Sequence, residues 1–117
     1  MENIKIRAIE ASVSFLTRHG YEILAREWES ATDGIDIVAV DNGELAFVSV
    51  TVSDAAKGFR EPAMTRASRE AAAARWLAED GGEFVDSPVR FDDIAMMVMG
   101  SRALIRHHIN SLSTSEG

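Results

Sequence analysis

Hydrophobic residues recur along this chain at helical spacing in three segments. Residues 4–18 predict a helix that ends at His19-Gly20, because one 3.6-residue stripe runs through Ile6, Ile9, Val13 and Leu16. The alanine-rich run 66–79 predicts a second helix with Thr65 as its N-cap. Its predicted buried face comprises Ala67, Ala71, Ala74, Leu77 and Ala78. A third helix is predicted over residues 102–112.

Between these helices, β-branched and alternating segments predict four strands, over residues 21–28, 35–41, 45–52 and 89–99. Asn42-Gly43 supplies the two positive-φ residues of a type I′ hairpin turn between the second and third strands. Residues 53–61 are predicted to be a loop. The order is α-β-β-β-α-β-α. A crossover helix between the third and fourth strands makes that pair parallel.

These elements predict an α/β fold with a mixed, roughly four-stranded sheet flanked by helices. A chain of 117 residues fits one domain, expected over residues 1–112, with a frayed tail over 113–117. The chain has no cysteine, which excludes disulfides and thiolate metal sites. No apolar run is long enough to cross a bilayer. We therefore expect a cytoplasmic protein without a membrane partner.

Charge is unevenly distributed along the chain. The formal net charge is −7, and seven acids but no basic residue lie between Arg26 and Lys57. Residues 57–75 instead carry a net charge of +3 (five basic residues against two acids). A protein that binds the phosphates of a nucleic acid needs such basic residues. The candidate phosphate contacts are Lys57, Arg60, Arg66 and Arg69. The alternative is an ordinary solvated surface, and Arg66 and Arg69, three apart on a helix, point the same way in either case.

Six short segments, in order, resemble the YraN-like family of proteins. They are HGYEILAREW (19–28), GIDIVAV (34–40), LAFVSVTV (45–52), ARWLAED (74–80), Arg90-Phe91-Asp92 and IRHHINSL (105–112). The resemblance covers roughly residues 8–112. It implies the restriction-endonuclease-like fold of the PD-(D/E)xK nucleases, in which strand carboxylates hold Mg²⁺ or Mn²⁺ for phosphodiester hydrolysis and a nearby lysine assists.

Most of the polar positions that this resemblance implies carry other residues here. Asp36 matches the family's strand aspartate and is the candidate remnant catalytic and metal-binding residue. Ser49 and Thr51 stand at the positions of the family's next glutamate and its lysine. The remaining positions carry Gly34, Ser68 and Ile9. Since one carboxylate holds Mg²⁺ poorly, we expect a pseudo-nuclease without a cofactor, and Mg²⁺ or Mn²⁺ only if activity is retained.

Three functions stay open at this point. The first is a nuclease-fold protein that does not hydrolyse nucleic acid but binds it weakly. The second is a protein-interaction or homodimer module, which the net charge of −7 favours over the first. The third is a Mg²⁺- or Mn²⁺-dependent endonuclease whose acids have moved to Glu29, Asp33 or Asp54. Asp36, by contrast, can also be a local capping residue. The adjacent His107 and His108 are interpreted as structural residues, since neighbouring helical positions face different ways.

Overall fold

The computed structural model describes residues 2–30, 33–54 and 65–109. Its elements are α1 (Glu2–Arg18), β1 (Glu22–Glu29), β2 (Gly34–Asp41), β3 (Glu44–Asp54), α2 (Arg66–Glu79), a 3-10 turn (Gly82–Phe84), β4 (Val89–Met99) and β5 (Arg102–His108). The first two predicted helices and all four predicted strands are confirmed, with ends that differ by two residues or fewer.

The strands form one sheet in the order β1-β2-β3-β4-β5. Strands β3 and β4 pair in parallel, whereas the other neighbouring pairs are antiparallel. Helix α2 connects the parallel pair, as the pattern predicted. At the β2–β3 turn, Asn42 has φ 53° and Gly43 has φ 81°, the two positive values of a type I′ turn. The mixed sheet is therefore confirmed, but it has five strands rather than four.

The fifth strand replaces the helix predicted over residues 102–112. Gly100 has φ 61° and forms a two-residue turn with Ser101, so that Met99 pairs with Arg102 and the chain returns along β4. Apolar residues along this segment fit a helical stripe as well as a strand. The eleven-residue β4 decides between them, because its outer edge needs backbone hydrogen-bond partners. The prediction of a helix is wrong over 102–108, and residues 110–112 lie outside the described part.

Helix α2 begins as predicted, with the Thr65 side chain accepting a hydrogen bond from the Ser68 amide. Its buried face differs from the predicted alanine face. The buried residues are Arg69, Ala72, Ala73 and Trp76, whereas Ala67, Ala71, Ala74 and Ala78 are exposed and Leu77 is half-buried. Tryptophan buries far more apolar area than alanine, and the Trp76 ring meets Phe47 edge-on at 5.7 Å between centroids. Tryptophan burial therefore sets the helix rotation.

The two helices cover opposite faces of the sheet. On one face, α1 contributes Ile9 and Leu16 to a core with Ile37, Val48 and Ile94. On the other, α2 contributes Ala72, Ala73 and Trp76 to a core with Val38 and Phe47. Neither described helix has the length and apolar character that crossing a membrane requires.

Helix α1 lies diagonally across its face of the sheet. Near its start, the Lys5 ammonium lies 3.4 Å from the Asp36 carboxylate on β2. Near its end, the Phe15 ring lies against His107 on β5, at 5.9 Å between centroids. The corner formed by the end of β3, the end of β4 and the start of β5 consequently lies beside α1 rather than beneath it.

Several predictions concern residues outside the described part. Lys57 and Arg60, most of the loop predicted over 53–61, and the tail 113–117 are among them. The single-domain boundary at residue 112 also stays a prediction.

Candidate functional site

Residues at the motif positions lie side by side in the sheet. Regular pairing of β2 with β3 ends at Ile37 and Val48, and Asp36 and Ser49 are the next residues of the two strands at this end. We call Asp36, Ser49 and the neighbouring Asp93 the motif row. Ser49 pairs with Asp93 on β4, and Asp93 pairs with His108 on β5. Asp36, Ser49 and Arg69 line a pocket of about 40 Å³, which has space for a few water molecules rather than a nucleotide.

Thr51 lies in the next row of the same face and does not line this pocket. It pairs with Ala95, which in turn pairs with Arg106 on β5. Asp36, Ser49 and Thr51 were expected to converge. Only Asp36 and Ser49 line the pocket, and Thr51 lies one row away.

The Asp36 carboxylate is engaged by the protein's own donors. Regular pairing of β2 with β3 extends to Ile37 and Val48. Beyond that point, Asp36 Oδ2 accepts a hydrogen bond of 2.7 Å from the Val50 amide. The Lys5 ammonium lies 3.4 Å from the same oxygen. Asp36 therefore takes the place of a missing backbone acceptor, in agreement with its interpretation as a local capping residue.

Arg69 is buried beneath the same row, where the sequence predicted an exposed phosphate contact. It is 4% exposed, and its Nη2 donates to the Asp92 carbonyl at 2.8 Å. Its Nη1 lies 2.9 Å from Asp93 Oδ1, at an angle that does not make a hydrogen bond. The guanidinium also lies over the Phe91 ring, 5.5 Å from the centroid. The expectation that Arg69 shares an exposed face with Arg66 is wrong, because these partners hold Arg69 inward.

The acids proposed as relocated ligands do not assemble around Asp36. Asp33 forms an ion pair of 2.7 Å with Arg75 on α2, and Glu29 is exposed at the end of β1. The side chain of Asp54 lies outside the described part. Within residues 2–30, 33–54 and 65–109, no three His, Cys, Asp or Glu side chains group together as a metal site.

Sequence reasoning missed a buried polar network on the α1 face. Asp92, fully buried on β4, receives hydrogen bonds from Arg90 at 3.0 and 3.1 Å and from His107 Nε2 at 2.9 Å. Arg90 also donates to the Tyr21 hydroxyl and to Glu44. Because a buried carboxylate is costly unless it is paired, these partners hold one another in place.

Three of the segments that carry the family resemblance meet in this network. Gly20-Tyr21 connects α1 to β1, Arg90-Phe91-Asp92 lies near the start of β4, and His107 belongs to the segment 105–112. An arginine and an aspartate two residues apart on a strand share one face, which was the available sequence signal. The predicted helix over 102–112 concealed the third partner, His107. On β5, His107 and His108 point to opposite faces, so these two histidines do not share a ligand.

The pKa of Tyr21 is a measurable property of this network. Burial, and then the charge of Asp92, raise the pKa of Tyr21 from 10.0 to about 12, although Arg90 opposes the shift. Tyr21 is the only tyrosine in the chain, so tyrosinate absorbance reports this residue alone. We expect the folded protein to titrate near pH 12 and the protein unfolded in guanidinium to titrate near pH 10.0.

The sign of the linked stability change follows from this raised pKa. Between pH 10.0 and about 12 the folded state keeps a proton that the unfolded state loses. Stability is therefore complete below pH 10.0 and falls as the pH rises through this window. Tyr21→Phe should flatten that slope. A folded-state titration near pH 10.0 would show that Tyr21 is accessible to solvent.

Exposed basic residues flank the motif row. Arg66, at the start of α2, is exposed and forms a surface ion pair with Glu70 at 3.1 Å. Arg106 and His108 are exposed on β5, on the face that carries Thr51 and Ser49 by register. The predicted contacts Lys57 and Arg60 lie outside the described part. Of the four predicted basic residues, the structure therefore places Arg66 on the surface and Arg69 in the interior.

Comparison with known proteins gives consistent family matches. Residues 10–96 match the sequence model of the uncharacterised protein family UPF0102. A "UPF0102 protein" of Oleidesulfovibrio alaskensis is 39% identical over 88 residues, which cover 71% of this chain and 42% of that protein. One of Roseiflexus castenholzii is 58% identical over 36 residues, 31% of this chain and 29% of that protein. One of Pelobacter propionicus is 34% identical over 116 residues, 93% of this chain and 81% of that protein. The matched region thus spans less than half the length of the first two relatives.

Proposed function

Since this chain belongs to the uncharacterised, YraN-like protein family UPF0102, we propose that it is a nuclease-fold protein that binds nucleic acid without hydrolysing it. The proposal includes the restriction-endonuclease-like fold. That part is supported by the α-β-β-β-α-β order and by the parallel pairing of β3 with β4. The hairpin β4–β5 then adds a fifth strand to the sheet.

The observation that carries the proposal is the pairing of both carboxylates in the motif row with cations of the chain itself. Asp36 is paired with Lys5, and Asp93 is paired with Arg69. A divalent cation needs several oxygen ligands whose negative charge is still available. The donor set at the motif positions therefore does not fit Mg²⁺ or Mn²⁺.

Binding is assigned to the exposed surface beside the motif row, which is formed by the start of α2 and by β5. Arg66 and Arg106 bring positive charge to this surface, and Lys57 and Arg60 are predicted to add to it. The net charge of −7 opposes phosphate binding elsewhere on the molecule. We therefore expect weak binding that decreases steeply as salt is raised.

The test is fluorescence anisotropy at low salt with labelled single-stranded, duplex and branched DNA and structured RNA. Mn²⁺ is present, and the same samples are analysed on gels. We expect binding without cleavage, and Arg66→Ala plus Arg106→Ala should weaken it by about tenfold. The matched control is Arg18→Ala plus Arg26→Ala, which removes two exposed arginines away from this surface.

Two outcomes would contradict the proposal. Cleavage that disappears in Asp36→Ala would establish an endonuclease with a rebuilt metal site. An absence of binding to every probe at low salt would favour a protein-interaction or homodimer module instead.

A further inference from the structure

The corner of the sheet beside α1 forms an apolar groove of about 430 Å³. Its floor comes from three strands, with Val52 on β3, Met96 and Val98 on β4, and Ala103 on β5. The wall is the α1 surface that carries Ile4, Ala8 and Ala11. Ile4 is 50% exposed, so an apolar side chain remains in water at the mouth of the groove.

The charge around this groove differs from that of the whole molecule. The chain has 19 acids against 12 basic residues, yet no acid is among the described residues that line the groove. Arg7 on the α1 wall and Arg102 on β5 both line it. In the described part of the chain neither arginine forms an ion pair, whereas Arg75 and Arg90 each form more than one.

We propose that this groove is a docking site for an acidic amphipathic helix of a partner protein. The apolar face of the partner helix would lie on the strand floor, and acidic residues on both sides of that face would pair with Arg7 and Arg102. The site lies on the face of the sheet opposite Ser49, Thr51 and Asp93. Helix docking there is therefore independent of nucleic-acid binding.

Dimensions favour a helix as the occupant. Neighbouring strands are about 4.8 Å apart, so the floor from β3 to β5 is about 10 Å wide, which is the diameter of one helix. Helix-in-groove recognition uses apolar anchors on a groove of this kind. The small side chain of Ala11, exposed on the wall, allows a second helix to approach α1 closely.

Other ligand classes fit this groove less well. Single-stranded nucleic acid needs aromatic side chains for base stacking, and no aromatic residue is among the described lining residues. A small amphiphile such as a fatty acid is normally enclosed over most of its surface. This groove is open along one side and would leave much of such a molecule in water.

The test uses a designed fluorescein-labelled helical peptide of about 24 residues, which as a helix of about 36 Å runs the length of the eleven-residue β4. Leucines occupy one face and glutamates flank them. We expect it to bind the full chain and to shift the amide NMR signals of Ala11, Val98 and Ala103. A peptide with lysines in place of the glutamates should bind about tenfold more weakly.

Charge reversal on the protein should invert this preference. Arg7→Glu plus Arg102→Glu is expected to weaken binding of the glutamate peptide by about tenfold and to strengthen binding of the lysine peptide. The matched control, Arg18→Glu plus Arg26→Glu, makes the same change in net charge outside the groove and should leave both affinities nearly unchanged. Ala11→Trp fills the groove from an exposed helix position and should block the glutamate peptide without a change in charge. Circular dichroism melts verify that each variant is folded.

Three results would overturn the proposal. Equal affinity for the glutamate and lysine peptides would remove the charge argument. Peptide shifts confined to the motif row would place the contact on the other face. Groove shifts with dodecanoate or single-stranded DNA, without peptide binding, would assign the groove to a different ligand class.

Discussion

Replacing Asp92 with alanine is expected to destabilise the fold by about 3–5 kcal/mol, the largest loss that we predict for a single side chain. Asp92 is fully buried and accepts hydrogen bonds from Arg90 and His107. Its removal leaves the Arg90 guanidinium, itself 7% exposed, without its nearest buried counter-charge. Part of this loss is recovered by Asp41 and Glu44, which also contact Arg90 at the rim.

Urea unfolding, followed by tryptophan fluorescence, measures this effect. The Asp92→Ala midpoint should decrease strongly with an unchanged m-value, because the surface exposed on unfolding remains the same. Asp92→Asn keeps the size of the side chain but not its charge and should cost less. Asp86→Ala removes an exposed carboxylate and serves as the control, with an expected change within about 0.5 kcal/mol. Equal midpoints for Asp92→Ala and Asp86→Ala would show that the network does not stabilise the fold.

Local chemistry made much of the fold predictable from sequence. Asn42-Gly43 specifies its turn type because few other pairs accept two positive φ values. Thr65 specifies the start of α2 because its hydroxyl satisfies an amide that the helix leaves free. Such signals act over a few residues, so they are visible without knowledge of tertiary contacts.

The predictions that were wrong depend on tertiary contacts. The segment 102–108 forms a strand because β4 offers an open edge, which its own hydrophobic pattern does not encode. Arg69 is buried because Asp93 and the Asp92 carbonyl meet it there, although β4 lies more than twenty positions later in the sequence. The candidate site was therefore predicted only in part. The proximity of Asp36 to Ser49 follows from the hairpin register, whereas its partner Lys5 comes from a separate helix.

The residues that carry the sequence resemblance are distributed differently from those at which the resemblance implies another residue type. Tyr21, Arg90 and Asp92 form the buried network on the α1 face. Ser49 and Thr51, the departures, lie in neighbouring rows on the opposite face. This distribution agrees with the proposed loss of hydrolysis, because packing constrains the residues of one face whereas only a reaction would constrain those of the other.

Restoring the family's residue types at those two positions is accordingly expected to create a metal site. In Ser49→Glu plus Thr51→Lys, a second carboxylate joins Asp36 beside the pocket, and a lysine stands one row away. Two carboxylates that share a site attract a hard divalent cation far better than one that is paired with an ammonium. We expect Mn²⁺ affinity, measured by calorimetry, to rise by about tenfold or more over the wild type.

Lys5 tests the physical reason for that gain. Lys5→Ala in the restored variant removes the cation that competes for Asp36 and should raise Mn²⁺ affinity further. Asp36→Ala in the same variant should return Mn²⁺ affinity to that of the wild type. Thr51→Glu plus Ser53→Lys places the same two residue types, at the same spacing and on the same face of β3, beyond the motif row and is the matched control. If the restored variant binds Mn²⁺ no better than this control, the two strands do not bring their side chains close enough to share a metal. The resemblance to metal-dependent nucleases would then end at the fold, because β2 and β3 would lack the geometry on which that chemistry depends.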